Sequence, residues 1–161
     1  MNLKLKILLV FVVITLFSCD DNRVFDEYKS IDNGWNKDSI VSFEFDVKNV
    51  SQKHNLYVNI RNNNDYKYSN LFLIVSMESP NGFTKVDTLQ YQMANPDGTL
   101  LGDGFTDVKD NKLFYKENFK FPNTGKYKIK VQQAVRKTGK IVGDKKLEGI
   151  SAVGFRLEKS I

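Results

Sequence analysis

Apolar residues recurring at every second position, turn signals between those runs, and no apolar repeat at three-and-four spacing over a dozen residues together predict an all-β fold. The expected architecture is a single β-sandwich of seven to eight strands, immunoglobulin-like or jelly-roll in its connections, behind an N-terminal signal peptide. The chain divides accordingly into a leader over 1–18, an N-terminal tether over 19–38 and the sandwich over 39–161. About 140 residues remain after the leader, enough for one domain to bury most of its apolar surface unaided.

The leader opens with Lys4 and Lys6 and continues through Ile7 to Phe17, an apolar run broken by one Thr, before Ser18 and Cys19. A positive start, a short apolar centre and a small residue at the cut define a secretory leader. The run is too short for a spanning helix, which needs roughly 20 apolar residues, and it ends abruptly at Asp20-Asp21-Asn22. Leu16-Phe17-Ser18-Cys19 resembles the lipobox of bacterial lipoproteins, so Leu16, Phe17 and Ser18 flank the cut. Cys19 would then become the lipid-bearing first residue. Several acyl chains, each methylene adding about 0.8 kcal/mol, hold a protein durably where one chain does not. The expectation is a membrane attachment through lipid and a body that stays in water.

Strand signals begin at Ser39 to Val47, where Val41, Phe43, Phe45 and Val47 share one face. Leu56, Val58 and Ile60 repeat the alternation, while Asn70 to Met77 is apolar on both faces and reads as central. Pro80-Asn81-Gly82 turns the chain into Thr84 to Tyr91, and Asn95-Pro96-Asp97-Gly98 closes that hairpin, because Pro presets one turn dihedral and Gly accepts positive φ. After a glycine-rich stretch, Leu113 to Phe121 is again β-like, and Pro122 to Gly125 turns it back. Lys126 to Val135 places Tyr127, Ile129 and Val131 inward and three lysines outward. A long basic loop precedes the last strand, Ile150 to Leu157.

The chain has one cysteine, so with Cys19 carrying lipid no disulfide, thiolate metal site or Cys nucleophile remains. Without Lys4 and Lys6 there are 22 basic against 19 acidic side chains, a net +3 that is too mild to imply nucleic acid. The basic residues Lys126, Lys128, Lys130, Arg136, Lys137, Lys140, Lys145 and Lys146 read as a solvated strand face and a polar loop. The only histidine, His54, sits in the polar stretch Ser51 to Asn55 and reads as surface. Gly149 to Gly154 is off by one residue from a nucleophile elbow and leads into a strand, so Ser151 is set aside. No catalytic residue, cofactor or metal site is expected.

Asp97, Asp103, Asp107 and Asp110 share one glycine-rich stretch, but not at the alternate positions of an EF-hand loop, and a solvated loop is the preferred reading. Trp35, Tyr57, Tyr66, Tyr68, Phe105 and Tyr115 are the rings that could stack on a glycan. Trp35 is read first as a plug at the end of the sandwich and second, with Asp103, Phe105 and Asp107, as a binding surface. Asp38-Ser39-Ile40 and Asp87-Thr88-Leu89 resemble the short O-glycan acceptor motif of Bacteroidota, which makes Ser39 and Thr88 candidate modification sites; a turn held by Asp and a hydroxyl is the plainer explanation.

The ordered segments Cys19-Asp20 with Arg23 to Tyr28, Gly34 to Ile40, Asp87 to Leu89, Leu101 to Asp107, Lys112 to Glu117 and Gly149 to Arg156 resemble the gliding-motility lipoprotein family GldH of Bacteroidota. The resemblance spans most of the mature chain. It implies an outer-membrane lipoprotein needed for gliding, associated with proteins of the gliding and secretion machinery, and it implies no catalytic residues. A surface glycan-binding module is the alternative, and whether its rings lie coplanar and exposed or packed inside separates the two; crosslinking in cells would identify the partners.

Overall fold

The structure is a computed structural model that describes residues 22–136 and 143–160. The leader, with Leu16, Phe17, Ser18 and Cys19, lies outside the described residues, as do Lys137 and Lys140 of the basic loop. Among the described residues there is no helix. The strands are β1 (Arg23–Ser30), β2 (Trp35–Asn36), β3 (Val41–Val47), β4 (Lys53–Asn62), β5 (Asn70–Glu78), β6 (Thr84–Gln92), β7 (Lys109–Lys120), β8 (Gly125–Gln133), β9 (Lys146–Leu147) and β10 (Ile150–Lys159). Two four-stranded antiparallel sheets, ordered β1-β10-β4-β7 and β3-β8-β5-β6, make the sandwich, and β2 with β9 forms a small separate ribbon. The all-β prediction holds, with eight long strands and two of two residues.

The period-two pattern explains the core directly, because alternate side chains of a strand point to opposite faces. Val41, Phe43, Phe45 and Val47 of β3 face Leu56, Val58 and Ile60 of β4 across the interior, with Tyr127, Ile129 and Val131 of β8 beside them. β5 contributes Leu71, Leu73, Val75 and Met77, while Phe72 and Ile74 lie half-buried on its outer face. Phe45 is the hub of an aromatic cluster, with ring centroids 5.5 Å from Phe25, 5.7 Å from Phe121, 6.0 Å from Tyr127 and 5.7 Å from Phe155. Each such pair adds about 0.5–1.5 kcal/mol beyond area burial.

Two local readings are corrected. Residues 23–30 are not tether but the edge strand β1, paired with β10 from Arg23↔Glu158 to Ser30↔Ala152. RVFDEYKS has no clean apolar alternation, and its place comes from backbone pairing plus the single inward ring of Phe25 against Phe45 and Phe155. His54 is not surface: it is the second residue of β4, 6% exposed, with its ring edge-on to Phe121 at 5.5 Å. Its strand brings it beneath the turn that follows β7, a neighbourhood that no local pattern announces.

The sandwich is closed along one side by polar contacts between its edge strands. Tyr91 of β6 donates its hydroxyl to the Phe114 carbonyl of β7 at 2.6 Å. Tyr115 and Lys116 of β7 both donate to the Asp87 carboxylate of β6, each at 2.8 Å. Burial by itself raises the Asp87 pKa, but the two hydrogen bonds and the Lys116 charge outweigh it and hold the carboxyl below its ordinary value. Burial pushes the Tyr91 phenol up to about 12, so it stays a neutral donor.

Candidate functional site

Strand register gives the sandwich two distinct ends. At one end β1 begins and β10 finishes, with Lys159 N–H donating to the Asn22 carbonyl at 2.8 Å. At the other, β10 begins beside the finish of β4 and the start of β7, through Ile150↔Asn62 and Asn62↔Lys109. β10 has ten residues, so the ends are about 33 Å apart. The chain therefore enters the domain at one end, and the glycine-rich stretch sits at the far end between β6 and β7.

That far-end segment is two small hairpins rather than an open loop. In the first, Gly98 N–H donates to the Asn95 carbonyl at 2.9 Å and Leu101 N–H to the Met93 carbonyl at 2.9 Å. In the second, Asp103 and Asp110 exchange both backbone hydrogen bonds at 2.8 Å. Gly104 has φ of +149°, and a Cβ there would stand 2.3 Å from the Val108 carbonyl oxygen, so only glycine fits. Lys109 Nζ caps the Gly104 carbonyl at 2.7 Å. The tip carries Phe105, whose ring is wholly in solvent at 110% of its reference exposure, with exposed Asp103 and Asp107 nearby.

The four aspartates do not converge. Asp110 takes Arg61 through two hydrogen bonds at 2.9 and 3.3 Å. Asp97 accepts from the Thr99 hydroxyl at 2.6 Å and its N–H at 2.9 Å, which lowers its pKa. Among the described residues no three His, Cys, Asp or Glu side chains gather as a metal site.

Trp35 is also at the far end but is sealed, with no exposed surface and its Nε1 donating to the Ser39 carbonyl at 2.9 Å. It plugs the sandwich under the β2–β9 ribbon, and it does not join Asp103, Phe105 and Asp107 in a surface. Tyr66 and Tyr115 are buried, and Tyr57 stands edge-on to Phe114. Phe105 makes no ring pair among the described residues, so the flat set of exposed rings that a glycan platform needs is not assembled.

Ser39 and Thr88 are both exposed. Thr88 and Asp38 line a groove of about 440 Å³ on the outer face of the second sheet, floored by Phe72, Ile74 and Gln132. Ser151 donates its hydroxyl to the Arg61 carbonyl at 3.2 Å, a structural bond within the sheet. The lysine stripe of β8 is matched across strands: Lys128 and Lys126 reach Glu44 at 3.2 and 3.8 Å, and Lys130 reaches Glu78 at 3.4 Å. Sequence reasoning did not find the Asp87–Tyr115–Lys116 clasp or the buried Gln133, which holds the Asp144 carbonyl at 2.9 Å and the Val135 N–H at 3.0 Å. The only local trace of the clasp is an Asp on an edge strand, since its partners lie 28 and 29 positions away.

Two solved structures of infectious bursal disease virus, the VP2 subviral particle and the Gx strain, align over 86% of this chain but only 30% of theirs, at 13% and 10% identity and TM-scores of 0.36 and 0.38. The family model described as GldH lipoprotein matches residues 23–157. The gliding motility lipoprotein GldH of Flavobacterium johnsoniae is 58% identical over 159 residues, covering 99% of both chains. The gliding motility lipoprotein GldH homolog of Christiangramia forsetii is 54% identical over 151 residues, covering 94% of this chain and 93% of its own. With identity at this level over nearly the whole length, the chain belongs to the GldH lipoprotein family and is a lipid-anchored cell-envelope protein of gliding motility.

Proposed function

We propose that the protein is a non-catalytic interaction component of the gliding apparatus. Lipid on Cys19 holds it at the outer membrane, and the far end of the sandwich, led by Phe105, meets another protein of the gliding or secretion machinery. The observation that carries this reading is the Phe105 hairpin. A large apolar ring costs free energy when left in water, and here it stands on a braced tip with only glycine at the bend. Loops held by a rigid scaffold are where recognition residues concentrate.

Deletion and two point variants test the two halves of the proposal. Deletion is expected to abolish spreading on agar, and unchanged spreading would overturn the role in gliding. Cys19→Ser is released from membranes and loses spreading with it; a released protein that still supports full motility would make the anchor irrelevant. Phe105→Ala keeps its melting behaviour within about 0.5 kcal/mol, as a surface change does. It nonetheless loses the partner captured by in-cell crosslinking at the tip. Unchanged crosslinking and spreading would remove the hairpin from the contact.

A further inference from the structure

We infer that the end of the sandwich nearest Cys19 is a cationic rim that seats on anionic phospholipid headgroups and holds the domain upright on its membrane. For its geometry the inference rests on the lipid at Cys19 proposed above. Three residues separate Cys19 from Arg23, so four residue steps span roughly 14 Å at full extension. The rim therefore stays near the headgroups, within about two Debye lengths of roughly 8 Å each even at full extension.

The rim is built by topology. Arg23 opens β1, Lys48 follows β3, Lys53 opens β4, Lys120 ends β7, Lys126 is the second residue of β8 and Lys159 ends β10. All six are exposed, and all meet at the end where the chain enters. Lys53 and Lys120 are direct cross-strand partners, an arrangement that repels and that favours a counter-charge from outside. Nearby acids are largely engaged by cations outside the rim: Glu158 by Lys112 and Arg156, Glu78 by Lys130, and Glu44 by Lys128, with the rim's Lys126 also 3.8 Å from Glu44. Glu44, Asp46 and Glu117 are the exposed acids here, Asp46 directly across from Lys126, and Asp20 and Asp21 precede Arg23 in sequence.

Two exposed apolar side chains stand among the cations. Phe83, 65% exposed, lies in the β5–β6 turn, and Val50 lies between β3 and β4. Pro80 of that turn sits where a Cβ on Gly125 would meet it at 3.1–3.2 Å, which places the turn beside the start of β8 at this same end. Cations around exposed apolar side chains make the composition of a contact that sits at the headgroup boundary. The opposite end mixes the acids Asp97, Asp103, Asp107 and Glu148 with Lys37, Lys67, Lys109, Lys145 and Lys146, so it has no comparable one-sign rim.

The test reconstitutes the full lipidated protein on vesicles of phosphatidylcholine alone and of phosphatidylcholine with phosphatidylglycerol. Lysine reactivity toward an amine-directed reagent is then mapped by mass spectrometry. Lys53 and Lys120 are expected to be protected several-fold on phosphatidylglycerol vesicles, less so in high salt and not on phosphatidylcholine, while Lys37 and Lys145 at the far end react alike on both. In the Lys48→Glu/Lys53→Glu/Lys120→Glu variant, protection of Lys126 and Lys159 disappears. Flotation with both vesicles but equal lysine reactivity overturns the rim and leaves the anchor standing. Flotation only with phosphatidylglycerol supports the rim and removes the anchor, and flotation with neither overturns both. Protection found in intact envelopes but on no vesicle assigns this end to a protein and also overturns the inference.

Discussion

His54 is the residue whose environment differs most from its sequence surroundings. Burial lowers its pKa from the ordinary 6.5; a hydrogen bond to the Gln52 backbone opposes the shift, and the charge of Lys159 adds to it. The fold thus accommodates the neutral ring. The contribution is intact above 6.5 and is lost as pH falls from there toward the folded pKa, because the unfolded chain takes up the proton first. With a single histidine in the chain, and with carboxylates titrating at about 4, the window just below 6.5 reports this group alone. Melting temperature is therefore expected to fall between pH 6.5 and about 5.5, and His54→Leu to flatten that slope. An equal slope in the variant would mean that the ring is free to protonate in the folded state.

At the scale of elements, the two sheets are joined at one side by β6 and β7. β6 is the outer strand of its sheet, and its burial pattern is only intermediate to exposed, so apolar packing alone holds it weakly. The Asp87 clasp and the Tyr91 bond supply what the packing does not. Tyr115→Phe removes one charge-assisted donor and is expected to cost about 1.5 kcal/mol. Amide exchange should speed up selectively over β6. Exchange that accelerates uniformly across both sheets would show that the clasp matters to global stability rather than to this edge. β1 is the other lesson at this scale, because an edge strand can be held by its partner's backbone and one aromatic side chain without a pattern of its own.

For the whole molecule, stability concentrates in the aromatic hub between the sheets. Phe45 touches rings from β1, β8, β10 and the turn after β7, so its loss reaches both layers. Phe45→Ala is expected to lower unfolding free energy by about 3–5 kcal/mol with an unchanged denaturant slope. A loss under about 1 kcal/mol would mean that neighbouring rings collapse into the space. The Phe105 tip stands at the far end of the sandwich, about 33 Å from the end where the chain enters.

By itself the sequence determined the all-β class, the inward residues of β3, β4, β5 and β8, most turn positions and the family, because each of these is written in local spacing or in an ordered set of segments. The tertiary structure alone decided that Trp35 is sealed while Phe105 is bare, that His54 is buried, and that β1 belongs to the sheet. It also decided that cations from Arg23 to Lys159 share one end. The reason is physical: alternation records which face of a strand is apolar, whereas register and strand order decide which distant termini become neighbours.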